Sequence, residues 1–358
     1  MEIFGKKYSK TELLKKVGDI SQLGGIKLYE FSDGMAKNLR AVDVKSPNGI
    51  EMTVVLDRAM DISSLTYKNI PISWRSVTRE TSAAFYDSAG LEWLRTFFGG
   101  LLTTCGLTYF GPPSNDSGEE LGLHGRISNL PAGNVFADGE WENDNYVMCV
   151  QGKIREAKPF GEKLELSRKI STFMDKPVII IEDTVENIGF KESPLMILYH
   201  MNFGFPLLDS SAKVILSKAT TVPKDEAAKK GINNFNEFSE PIDNFDEQVF
   251  IHDIEADGEG NCNVALVNSE FNNGEGIGVS IKFNKNELPY LIQWKQVASG
   301  EYVCGLEPAN SLLGGRETEK KNNNVRFIKP GEKINFKIEI NILDSKKEID
   351  SYIKNITL

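Results

Sequence analysis

Histidine is scarce in this sequence. The 358 residues include only His124, His200 and His252, which lie far apart and lack the short spacing of a metal-ligand pair. Cysteine is scarce as well: Cys105, Cys149, Cys262 and Cys304 form no CxxC pair, which fits neither a zinc knuckle nor a small disulfide scaffold. Buried reduced thiols are expected, and no short-spaced ligand pair anchors a metal, which leaves only a site assembled from distant strands. A basic excess is missing too, since 41 Lys and Arg stand against 51 Asp and Glu for a formal charge of −10. That balance disfavours a general grip on nucleic acid or on an anionic membrane surface, both of which need clustered cations. No run of about 18 apolar residues could span a bilayer. The start, Met1 to Lys7, carries no apolar signal-peptide core, so a cytoplasmic protein is expected. GxxxxGK[ST], the dinucleotide-binding glycine fingerprint, HExxH and GxSxG are all absent.

Alternation at period two is abundant. Ile334, Phe336, Ile338, Ile340 and Ile342 alternate with Asn335, Lys337, Glu339 and Asn341, which predicts a half-buried antiparallel strand. Residues 39–44 and 51–56 read as two strands around the turn Pro47-Asn48-Gly49. Similar stretches cover 147–154, 164–172, 178–185, 195–200, 213–216 and 277–283. Half-buried strands need a second sheet over their apolar faces, so the expected class is all-β, a large antiparallel β-sandwich. One short helix is expected near the N-terminus, where Ser9 and Glu12 have capping-box spacing ahead of Leu13, Leu14 and Val17. The expected organisation is an N-terminal helical extension over 1–35 and one sandwich domain over 36–358. Two long segments interrupt the strands: Gly90 to Pro131, rich in glycine and aromatics, and the polar stretch from Pro223 to Asp246. Loops of that length in a compact domain are commonly functional or mobile.

Chemistry has few candidate carriers. His124 sits in Leu121-Gly122-Leu123-His124-Gly125-Arg126, where flanking glycines allow close backbone approach to a ligand; a loop histidine bonded to a carbonyl is the alternative. His200 ends an apolar strand and precedes Met201-Asn202-Phe203-Gly204, which suits either a core histidine or a rigidly held proton-transfer group. Glu307 follows an apolar stretch and precedes Pro308, a place for a fixed general base or for an ordinary strand-end glutamate. Trp74, Trp93 and Trp294 could stack on a sugar ring, and Arg75, Arg95 and Arg126 could donate to its hydroxyls. His252 fits no pattern and is expected to be structural.

Taken in order, Leu56-Asp57-Arg58-Ala59-Met60-Asp61-Ile62 with Trp74-Arg75-Ser76, then Leu121 to Arg126, Tyr199-His200-Met201-Asn202-Phe203-Gly204 and Gly305-Leu306-Glu307-Pro308-Ala309-Asn310 resemble the aldose 1-epimerase (galactose mutarotase-like) superfamily. The chain is similar over about 35–345 to its branch of unknown function. The resemblance implies a β-supersandwich with a sugar cleft, free of metal or organic cofactor. It implies Glu307 as general base on the anomeric hydroxyl, His200 as general acid on the ring oxygen, and His124 as a sugar contact, with Arg126, Arg75, Trp74, Arg95, Trp294 and Asn202 as further substrate-binding candidates. Tyr199 departs from the pattern by standing where simple mutarotases carry Asn. The implied partner is a small-molecule carbohydrate, with no nucleic acid and no membrane, and a homodimer is compatible. The alternatives in view are an isomerase or lyase on a modified sugar or sugar phosphate, and a non-catalytic carbohydrate-binding protein. His200 and Glu307 are expected to face each other across about the width of a pyranose ring, with His124 on the rim.

Overall fold

The protein is described by a computed structural model covering residues 1–356. The alternating stretch is the strand Lys333–Leu343, at the centre of an eight-stranded antiparallel sheet between Val178–Asn187 and Ile277–Asn284. A six-stranded sheet runs in the order Ala219–Pro223, Gln248–Ile254, Tyr290–Ala298, Glu301–Ala309, Leu198–Phe203, Thr103–Cys105. A five-stranded sheet contains the expected hairpin, Arg40–Lys45 with Ile50–Val55. The three sheets bury one shared apolar cluster, to which they contribute Ile338 and Ile340, Tyr199 and Leu306, and Val42 and Met52 respectively. The architecture is therefore an all-β antiparallel sandwich, as the alternation requires.

The six-stranded sheet positions the site because both of its faces are covered. Successive strand residues point to opposite faces. Tyr199, Met201, Leu291, Cys304 and Leu306 enter the shared core, while Leu198, Ile292, Val249 and Ala309 belong to a second cluster with Trp93, Phe97, Tyr109 and Phe110. Those aromatics come from the long Gly90 to Pro131 segment, folded across the outer face.

Several boundaries differ from expectation. Residues 1–35 are not purely a helical extension. The capping box does start the helix Lys10–Leu14, but Gly25–Glu30 is a strand paired with Arg40–Lys45 in the five-stranded sheet. That edge strand is largely exposed and shows no buried alternation. The predicted strand over 195–200 is two strands, Ser193–Leu195 and Leu198–Phe203. Between them Met196 donates its N–H to Leu107 O, and Ile197 donates to the Asn310 side chain at 2.7 Å. A C-terminal helix, Lys346–Ile356, was not anticipated; Ile349, Tyr352 and Ile353, at helical spacing, pack on Ala265, Val267 and Leu343. All four cysteines are free and buried. Among the described residues no helix is long and apolar enough to cross a membrane.

Candidate active site

His200 and Glu307 are opposite each other in the sheet. The ladder between Leu198–Phe203 and Glu301–Ala309 pairs Leu198 with Ala309, Met201 with Leu306 and Asn202 with Gly305, a register that sets position 200 across from 307 on the outer face. His200 Nε2 lies 3.3 Å from Glu307 Oε1, and both side chains are almost wholly buried. This corrects the expected ring-width separation: directly opposed residues on adjacent antiparallel strands have Cβ atoms about 4.5–5.5 Å apart, and here the two side-chain tips converge. The approach lacks hydrogen-bond alignment, for Glu307 Oε1 and His200 Nδ1 have no hydrogen-bond partner within the protein.

Gly305 makes room for the glutamate. A Cβ at that position would stand 2.4 Å from Glu307 Oε1 and 3.1 Å from Trp294 Cβ. Beneath His200, the buried Asn202 donates its amide to His200 O at 3.0 Å and Gly100 O at 3.1 Å, tying the strand to the neighbouring loop.

The long loop delivers His124. Its backbone is left-handed (φ 57°), its N–H donates to Gly111 O at 2.9 Å, and its carbonyl accepts from Gly106 N at 3.1 Å. Gly125 is obligatory beside it, since a Cβ there would lie 2.2 Å from Tyr109 O. The His124 ring packs 4.9 Å from Trp93 and 5.7 Å from His200, centroid to centroid. Its buried Nδ1 also has no partner within the protein. Trp294, edge-on to His200 at 5.5 Å, and Trp74, edge-on to Trp294 at 6.0 Å, complete the aromatic surround.

Burial controls the protonation of this group. It pushes the Glu307 carboxyl well above the usual carboxylate range, with the Glu247 charge adding to the effect. It pulls His200 down to about 3. His124 is driven well below the usual imidazole range by burial first and then by His200. Burial thus disfavours the charged form of both members of the pair, holding Glu307 toward its acid and His200 toward its neutral imidazole.

His200, Glu307, His124, Trp74, Trp93 and Trp294 line one cleft of about 510 Å³. The predicted arginines do not join them. Arg75 turns outward to pair with Glu80, and Arg95 pairs with Glu92 in the exposed turn. Arg126 borders a separate pocket of about 270 Å³ with Arg155 and Glu156. Asn202 lies behind the cleft wall rather than in it, fully buried. Sequence reasoning missed Lys224, Glu247 and Gln296, which do line the cleft. Lys224 lies in the long polar loop whose length was the available signal, and Gln296 shares strand parity with Trp294. His252 is on the core face, bonded to Thr221 Oγ1 at 2.8 Å and Gln293 Oε1 at 3.0 Å, a structural histidine. Among the described residues, no three His, Cys, Asp or Glu side chains converge as metal ligands would.

Residues 36–342 match the family described as a domain of unknown function, DUF4432. The chain belongs to that family. Its fold is shared with a protein from Klebsiella pneumoniae named as a candidate aldose 1-epimerase, at 24% identity over 92% of this chain and 86% of the other, with a TM-score of 0.87. A galactose mutarotase-like protein from Clostridium acetobutylicum is 16% identical over 90% of this chain and 99% of its own, with a TM-score of 0.60. Galactose 1-epimerase from Lactobacillus acidophilus is 10% identical over 89% and 99%, with a TM-score of 0.58. The galactose mutarotase-like sandwich is thus the fold of this DUF4432 member. No curated protein matches the chain.

Proposed function

We propose that this cleft carries out acid–base chemistry at the anomeric centre of a reducing sugar, most simply aldose 1-epimerisation. The observation that carries the proposal is the directly opposed His200–Glu307 pair, buried at the cleft floor with unsatisfied polar atoms. The anomeric hydroxyl oxygen and the ring oxygen are bonded to the same carbon, so an acid and a base in contact with one another can reach both. With the pair's proton moved to His200, Glu307 takes the hydroxyl proton while His200 protonates the ring oxygen, and the C1–ring oxygen bond breaks to give the open aldehyde; with the proton on Glu307, the side that burial favours, the two roles are exchanged. Rotation about C1–C2 and reclosure with the roles exchanged yields the other anomer. One proton on the pair suffices in either direction, so no net proton is gained or lost. His124, projecting from the loop beside His200, would bond a sugar hydroxyl, and Trp74 and Trp294 would stack on the ring.

Anomer-exchange NMR on the purified protein tests this. Glu307→Gln and His200→Asn are each expected to slow exchange by about 10²–10⁴-fold while leaving the unfolding transition in place, as for positioned acid–base groups. Wild-type exchange rates in both variants would overturn the assignment. Sugar binding without exchange in the wild type would favour a non-catalytic carbohydrate-binding protein. A sugar phosphate is less well supported as substrate: Arg75, Arg79, Arg95, Arg126 and Arg316 all lie outside the cleft lining.

A further inference from the structure

The walls of the cleft limit which sugar can sit over the pair. Few of its polar side chains are free to bond hydroxyls. Ser76 Oγ accepts from Thr78 N at 3.2 Å, and Thr78 Oγ1 donates to Phe97 O at 2.8 Å. Gln296 Oε1 accepts from Ala298 N at 3.1 Å, and Glu247 accepts the Trp294 indole N–H at 2.8 Å. The remaining charges, Lys224 and Glu301, are exposed residues of the lining. One lysine set against Glu247 and Glu301 gives a dianion no net attraction, and no guanidinium fork is present.

Part of the remaining rim is aliphatic and open. Val77, Leu91 and Leu94 are 85%, 58% and 48% exposed, and all three border the cleft, as do Leu123 and Leu313. An exposed apolar rim around a polar floor is a surface that a ligand of matching character covers. Resting on the acid–base assignment above, we propose that the substrate is an uncharged deoxy sugar: its anomeric carbon lies over His200 and Glu307, and its methyl-bearing edge covers the Val77, Leu91 and Leu94 wall. A methyl there takes apolar surface of Val77, Leu91 and Leu94 out of water, whereas a hydroxyl at that place gains nothing from the aliphatic wall.

The test uses the full-length protein and matched sets of 6-deoxyhexose, parent hexose, uronate and hexose 6-phosphate in the galacto, gluco and manno series, in both enantiomers. Exchange is followed by NMR, and binding by saturation-transfer difference. The best 6-deoxyhexose should exceed its parent hexose by about 10–100-fold in kcat/KM, the scale on which an apolar pocket discriminates. Leu91→Gln and Leu94→Gln, both at exposed positions, should shrink that ratio severalfold without moving the Tm. Equal or better turnover of a parent hexose overturns the deoxy-sugar proposal alone, as does preference for a uronate or phosphate. Absence of both binding and exchange across all sets overturns the anomeric-centre function together with it.

Discussion

Tyr199 and His200 are neighbours on one strand, yet they enter opposite faces of the six-stranded sheet and meet opposite treatment of buried polarity. On the core face, the fully buried Arg168 holds Asp183 at 2.6 Å and Asp61 at 3.0 Å, and also donates to Thr104 Oγ1 at 2.8 Å. Tyr199 donates to Asp183 at 2.8 Å. Even so, burial pushes Asp61 up to about 6, with the Arg168 charge opposing it. On the cleft face, Glu307 Oε1, His200 Nδ1 and His124 Nδ1 lack hydrogen-bond partners within the protein. A complete buried network rigidifies a core, whereas an unpaired buried polar group costs stability and is retained where something else is to meet it. The difference separates the Arg168 network that holds the sheet from the residues that face the cleft, although both sets are buried and charged or polar.

Removing a charge from the core face should produce the largest loss of stability. Arg168→Met leaves Asp61 and Asp183 buried without their cation and is expected to destabilise the fold by about 3–5 kcal/mol, the cost of breaking a buried pair from one side. Urea unfolding measures it; a change below about 1 kcal/mol would remove the contrast between the two faces. The effect should be in stability, with anomer exchange per folded molecule largely kept. Gly305→Ala probes the cleft face by the opposite signature. The new methyl would displace Glu307 Oε1, whose side chain can swing away, so stability should change little. Displacing the base by about 1 Å can cost about 10²-fold in rate. Comparing exchange with the unfolding midpoint checks this, and an unchanged rate would show that Glu307 need not sit where it does.

Much of this was readable from sequence where a single element decided it. The strand Lys333–Leu343 is written in its alternation because one of its faces is buried and the other is not. The two site motifs around His200 and Glu307 were readable as separate segments, although both residues lie within strands, Leu198–Phe203 and Glu301–Ala309, rather than at strand ends, and their contact depends on a register between strands more than 100 residues apart, which no local pattern encodes. The arginines illustrate the converse. Arg75 adjoins Trp74, but Trp74 faces the cleft and Arg75 pairs with Glu80 outside it. Nothing in their residue types distinguishes a cleft arginine from a surface ion pair. Lys224 was hidden for a similar reason: it reaches the cleft through the path of a loop, fixed by its N–H to Val249 O, and a loop has no periodicity to reveal its facing side.

The pH dependence of exchange gives the subtlest separation of the two faces. The working pair needs one proton. A second proton must charge His200 while Glu307 stays protonated, and burial has pulled His200 down to about 3, so the acid limb of the rate profile should lie far below the usual histidine range near 6.5. The alkaline limb marks loss of the shared proton; because burial raises Glu307, it should lie well above the usual carboxylate range. These limbs belong to the pair rather than to either residue. No limb from His200 should therefore appear in the kcat/KM profile near pH 6.5, where an exposed histidine would titrate. A limb centred near 6.5 that survives Glu307→Gln would mean that His200 is solvated. Glu307→Gln should abolish the alkaline limb, whereas Arg168→Met, acting only from the core face, should leave both limbs in place.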